Sequence, residues 1–156
     1  MSSTAGRETS VGADRSLLRT AALAVGATLL LVGVLGFIPG ITSDYDEMGF
    51  AGHGSMAKLL GVFQVSVLHN IVHLLFGAAG IALARRNDTA RNYLVGGGVI
   101  YLVLWLFGLV VDKNSSANFV PLNTADNWLH LGLGVGMIAL GVLLARVVLD
   151  RPARTT

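Results

Sequence analysis

The chain has 156 residues, of which 53% are hydrophobic and only 13% charged; its formal net charge is +2 and its mean hydropathy +0.68. A soluble domain usually carries about twice that charge fraction, so the composition argues against an ordinary water-soluble core. With no cysteine in the chain, disulfides, thiolate metal sites and cysteine nucleophiles are all excluded.

From Met1 to about Arg15 the chain is Ser, Thr, Gly and charge, so residues 1–16 are expected to form a disordered leader. Four windows without Asp, Glu, Lys or Arg follow: Thr20–Ser43, Leu59–Ala84, Asn92–Val111 and Asn127–Ala145. Each reaches the roughly 17–25 residues that cross a bilayer core about 30 Å thick. They predict an all-α integral membrane protein, a four-transmembrane-helix bundle over residues 17–149. Its spans fall at about 19–38, 57–84, 92–111 and 127–146, and 150–156 form a tail. The first apolar stretch ends in Leu35-Gly36-Phe37-Ile38-Pro39, with no small-x-small cleavage site, and reads as a retained span.

Ser55 is the expected N-cap of the second span, which then starts near Met56 and, run to Ala84, is about 43 Å long. Such a helix must tilt or protrude. Thr124 or Asp126 is expected to cap the fourth span, and Trp128, Tyr93 and Trp105 include interfacial anchors. Gly77, Gly80, Gly132, Gly134 and Gly136 are expected to let helix backbones approach closely, within the bundle or between copies of the chain.

Basic residues set the orientation of a membrane protein. Arg7, Arg15 and Arg19 precede span one, Arg85, Arg86 and Arg91 lie between spans two and three, and Arg146, Arg151 and Arg154 follow span four. The other two loops hold only Lys58 and Lys113 and are otherwise acidic, so both termini are expected in the cytoplasm. The basic residues therefore report membrane orientation, and the lipid bilayer rather than nucleic acid is the expected partner.

The spans carry a repeated polar signature. Asn70-Ile71-Val72-His73-Leu74 with Gly77 recurs as Asn127-Trp128-Leu129-His130-Leu131 with Gly134, a step of 57 residues (70 to 127, 73 to 130, 77 to 134). Spans one and three share two glycines ten apart, Gly26 and Gly36 against Gly98 and Gly108. Two helical hairpins related by internal duplication are expected, with an axis along the membrane normal.

Helical spacing puts Ser66, His69, Asn70, His73, Gly77 and Gly80 on one face of span two, and Asn127, His130 and Gly134 on span four. Three readings follow. The plainest is interhelical adhesion, in which Ser66, His69, Asn70, His73, Asn127 and His130 satisfy one another across the two-fold interface. The second is a cofactor or proton-handling site, with His69, His73 and His130 as ligands of a divalent metal or a haem. The third, a small-molecule carrier, is disfavoured because Pro39 and Pro121 lie in loops and break no span. No carboxylate lies in any span to balance a metal's charge, and His53 reads as a loop residue. No phosphate loop, HExxH, Ser–His–Asp or paired-carboxylate pattern occurs, so no catalytic residue is expected. The leading expectation is a structural or interaction component of the membrane, homo-oligomeric or part of a larger complex.

Several segments resemble a bacterial membrane family known as domain of unknown function 4383. They are Gly36-Phe37-Ile38-Pro39-Gly40, Gly52-His53-Gly54-Ser55, Leu59 to Gly80 and Asn123 to Gly134, the most specific being Val67-Leu68-His69-Asn70-Ile71-Val72-His73-Leu74 and Asp126-Asn127-Trp128-Leu129-His130-Leu131. The resemblance implies a small four-span protein of the bacterial plasma membrane and brings no activity or ligand with it. A looser similarity to DoxX-like four-helix membrane proteins is an analogy of fold.

Overall fold

A computed structural model describes residues 5–149; residues 1–4 and 150–156, the outer ends of the leader and the tail, lie outside the described residues. Four helices carry the fold: α1 (Ala5–Leu35), α2 (Val67–Leu83), α3 (Asn87–Val110) and α4 (Thr124–Leu149). Between α1 and α2 the chain adds three two-residue strands, β1 (Thr42–Ser43), β2 (Lys58–Leu59) and β3 (Phe63–Gln64), paired antiparallel in that order. The expectation of an all-helical chain therefore needs this small sheet added.

Three helices have stretches long and apolar enough to cross a membrane: Leu17–Leu35, Asn87–Val110 and Thr124–Val147. In lipid each backbone N–H and C=O must be satisfied within its own segment, which an apolar helix does. Helix α1 starts at Ala5, inside the segment expected to lack structure. Once the apolar stretch is helical, each residue added upstream gains a hydrogen bond without a new nucleus.

Helix α2 departs furthest from expectation. It has 17 residues and begins at Val67 rather than near residue 57. Leu60 (φ 54°) and Gly61 (φ 72°) are left-handed, so the chain reverses there and Leu59 pairs with Phe63. Ser55 caps no helix: its hydroxyl donates to the Val65 carbonyl at 2.6 Å and accepts from the Gly49 N–H at 3.1 Å. The N-cap is Ser66, whose hydroxyl accepts from the His69 N–H at 3.2 Å.

Helix α4 is capped one residue earlier than expected. The Asn123 side-chain oxygen accepts from the Asp126 N–H at 2.9 Å, and Asp126 Oδ2 accepts from the Asn123 N–H at 3.0 Å. This is a reciprocal capping box, closed by Asp in place of the usual Glu or Gln. At the opposite helix ends, Arg19 Nε donates to the Ala84 carbonyl at 3.1 Å, and Lys113 Nζ donates to the Gly108 carbonyl at 3.0 Å. Both satisfy carbonyls that a helix C-terminus leaves free.

The closest packing is within the pairs α1/α2 and α3/α4, so the chain is two hairpins side by side. Glycine makes this possible. A Cβ on Gly77 would run into the Leu30 backbone N and the Gly26 carbonyl; one on Gly134 would meet Leu102 and the Gly98 carbonyl. Gly132 and Gly136 were expected to share this task but face open space on α4. The buried core joins Leu18, Ala22 and Leu29 of α1 to Tyr93, Leu94 and Tyr101 of α3 and Met137 of α4. A second apolar cluster, Ala57, Leu59 and Val65 against Val32, Leu35, Ile41, Met48 and Phe63, seats the sheet on the end of α1.

Three long-range hydrogen bonds clasp this sheet segment to the α3–α4 connection. Gly52 N–H donates to the Phe119 carbonyl (2.7 Å), Gln64 N–H to Asp126 Oδ2 (3.0 Å), and Asn123 Nδ2 to the Val62 carbonyl (2.7 Å). The two hairpins are thus tied together at their sheet-bearing end.

Candidate functional site: a histidine cluster beneath the sheet

The Ser66 cap fixes the first turn of α2, and with it the direction in which His69 and the residues one turn on project. His69 is 6% exposed, Asn70 is fully buried and His73 is half-buried. On α4 the second turn brings His130, 3% exposed, to face them. The His69 and His73 rings have centroids 4.6 Å apart, and the His69 and His130 rings 6.4 Å apart. The three histidines singled out in the sequence do converge, from two helices whose backbones are not among the close-packed pairs.

A fourth member is one that the sequence reading passed over. Tyr101 of α3 packs on His130 with ring centroids 5.3 Å apart, and Phe76 stands between Tyr101 (6.0 Å) and Tyr93 (5.4 Å). A lone tyrosine inside an apolar window gives no signal of its own, since core packing and interfacial anchoring account for it equally well. Asp126 was considered only as a helix cap. It is 2% exposed, and its carboxylate holds the roof of the cluster through the Gln64 N–H.

The remaining predicted members stand apart. Ser66 is buried but spends its hydroxyl on the helix cap. Asn70 and Asn127 do not reach across to the opposite hairpin. Each lies against a glycine of its own hairpin, Asn70 on Gly36 and Asn127 on Gly108, where any Cβ would collide with the amide. The nearest polar partner of Asn70 Nδ2 is the Met48 sulfur, at 3.9 Å. His53 is exposed in the loop, with its carbonyl 3.5 Å from Gln64 Nε2, and is not part of the cluster.

Five polar atoms of the cluster are left without partners. Nδ1 of His69, His73 and His130, and Oδ1 of Asn70 and Asn127, are buried with no hydrogen bond. The mutual hydrogen bonding expected of the adhesion reading is therefore absent at these five atoms. An unpaired buried donor or acceptor costs about 1–3 kcal/mol. A neutral imidazole has one donor and one acceptor nitrogen, so three rings and a phenol offer both kinds of site within a few ångströms. Among the described residues, no group of three or more His, Cys, Asp or Glu side chains is disposed to hold a metal ion.

The sequence profile of a family described as Domain of unknown function (DUF4383) matches residues 19–143. No curated protein and no solved structure matches the chain.

Proposed function

The chain belongs to the DUF4383 family, and on that premise we propose that it is a four-span protein of the bacterial plasma membrane that holds a hydrogen-bonding ligand in its imidazole cluster. The observation that carries this reading is the set of three imidazole Nδ1 atoms, from two helices, buried without partners at one end of an apolar bundle. A small polar molecule offering both donors and acceptors would relieve them together; a divalent metal or a haem iron would instead take imidazole lone pairs directly, and among the described residues no cluster is disposed to hold a metal ion. The nine arginines against two lysines support cytoplasmic termini, and with them a cluster in the outer half of the membrane.

Internal duplication is part of the proposal, and paired contacts support it. Gly36 on Asn70 matches Gly108 on Asn127, and Gly26 on Gly77 matches Gly98 on Gly134. The steps are constant: 72 residues between first helices (26 to 98, 36 to 108) and 57 between second helices (70 to 127, 77 to 134). The same 57-residue step carries the N-cap Ser66 onto the N-cap Asn123, and His69 onto Asp126. The cluster is thus a symmetric frame made asymmetric by His69.

The test is gentle purification from native membranes, followed by a visible spectrum, elemental analysis for Fe, Zn, Cu and Mn, and native mass spectrometry. A stoichiometric ligand is expected, lost in His73→Ala or His130→Ala while helix content is unchanged. A ligand-free protein whose His→Ala variants unfold, and whose His→Asn variants are tolerated, would make the imidazoles packing groups and overturn the reading.

A second reading, action through contact with other copies of the chain, is favoured by the outward face of α4. There Gly132 and Gly136 stand four apart in open space beside exposed Trp128 and Leu140. Gly136→Leu is expected to leave the protomer folded and to abolish dimer formation measured by energy transfer between labelled copies in liposomes. Unchanged energy transfer would remove this reading.

A further inference from the structure

The sheet segment presents large apolar side chains where a water-exposed loop would not. Leu60 is 64% exposed and Val62 48%, at the turn between β2 and β3; Met56 (47%) and Phe50 (70%) precede them. The turn is also costly to form. Leu60 has φ 54° and Gly61 φ 72°, and a turn with two positive φ angles ordinarily takes Asn, Asp or Gly at its first position. Leu60 stands there against that preference, 64% exposed.

The three N–H groups of the turn and its last carbonyl are meanwhile satisfied from within. Leu60 N–H donates to the Ile41 carbonyl (2.9 Å), Gly61 N–H to Lys58 (3.1 Å) and Val62 N–H to Leu59 (3.1 Å), while the Val62 carbonyl accepts from Asn123 Nδ2 (2.7 Å). Satisfied N–H groups and apolar side chains suit a non-helical segment to the headgroup–acyl boundary, where the Leu60 and Gly61 carbonyls still meet water. These bonds seat the turn between the end of α1 and the start of α4. Both neighbourhoods carry exposed apolar side chains: Val34 in the last turn of α1, Ile38 just past its end, and Trp128 near the start of α4.

Length points the same way. Helix α2 spans about 25 Å, short of a hydrocarbon core about 30 Å thick. The polar side of the segment is distinct: Asp44, Asp46 and Glu47 are exposed around the 3-10 turn Tyr45–Glu47.

We propose that the Leu60-Gly61-Val62 turn inserts into the headgroup–acyl boundary of the leaflet on the sheet side, where lipid completes the apolar surface that α2 is too short to provide. The occupant of this surface is the bilayer itself, and the acidic turn faces water. The segment is then a shallow membrane anchor as well as the roof of the histidine cluster.

The chain has no native cysteine, so single thiols report unambiguously. Full-length Leu60→Cys, Val62→Cys and Asp46→Cys proteins, each labelled with an NBD fluorophore, would be reconstituted in phosphatidylcholine–phosphatidylglycerol vesicles. The labels at 60 and 62 are expected to emit to the blue of the label at 46. Lipids carrying a nitroxide near the headgroup should quench them at least twofold more strongly. Emission and quenching equal to those at 46 would place the turn in water and overturn the proposal. Blue-shifted labels untouched by nitroxide lipids would place it against protein, a second copy included, and overturn it equally. Val62→Cys keeps the test valid if labelling at Leu60 perturbs the turn.

Discussion

Gly77→Ala is expected to destabilise the protein by about 1–3 kcal/mol, the usual cost of forcing a methyl group into a filled space. The three atoms nearest the added Cβ are all backbone, Leu30 N and Cα and the Gly26 carbonyl, so rotating a side chain cannot relieve the clash. Either α1 and α2 separate along their length or α2 slides, and both disturb the His69–His73 face that α2 carries. The control is Gly132→Ala on α4, where open space surrounds the new methyl and the intrinsic helix preference favours alanine by up to about 1 kcal/mol. Denaturant titration in detergent, followed by far-ultraviolet circular dichroism, measures both. Equal stability of Gly77→Ala and the parent would show that the α1–α2 approach is looser than the geometry described above.

The second large effect is expected at Asp126. Its Oδ2 accepts two backbone N–H groups, from Gln64 in the sheet and from Asn123 at the helix cap, and the residue is 2% exposed. Asp126→Ala removes both acceptor bonds at once and leaves two donors in a poorly hydrated place, a loss of about 2–4 kcal/mol. Asp126→Asn retains one acceptor oxygen and is expected to cost about half as much, through weaker, uncharged hydrogen bonds. Hydrogen exchange separates this from general unfolding: amides of β2 and β3 should lose protection in Asp126→Ala while those of the α3 interior keep theirs. Protection lost evenly along the chain would contradict a role confined to the clasp.

The sequence made α1, α3 and α4 legible because lipid allows an uncharged apolar run of that length few alternatives to a helix. The start of α2 was not legible for the same reason in reverse. From Leu59 the chain runs without charge straight into α2, and hydropathy is blind to the backbone dihedrals that turn it at Leu60 and Gly61. The glycine in Leu60-Gly61-Val62 was the local sign of that reversal. The capping box at Asn123 and Asp126 is written in the sequence as an Asn-x-x-Asp spacing, one residue ahead of the caps expected at Thr124 or Asp126.

The repeated Asn-x-x-His spacing marked His73 and His130 out, and helical spacing added His69; the rings of the three do gather between α2 and α4. What the asparagines touch did not follow. Two buried amides in matching places suggest mutual hydrogen bonds, yet each is seated on the glycine of its own hairpin, Gly36 or Gly108. That pairing was present in the sequence as a second constant step, between the first helices of the hairpins, and becomes readable only when the two steps are taken together.

The clasp also imposes an order on biosynthesis. Gln64 and its partner Asp126 are 62 residues apart, and Val62 and Asn123 are 61 apart. At roughly 5–20 residues per second, the first hairpin and its sheet wait about 3–12 seconds for the residues that complete them. Through that interval the Gln64 amide lacks its native acceptor, and the turn at Leu60 lacks the amide that binds the Val62 carbonyl. The histidines of α2 wait equally for His130. The first half of the chain can thus be inserted and paired well before its roof is fastened, and the emergence of the start of α4 is the step that closes it.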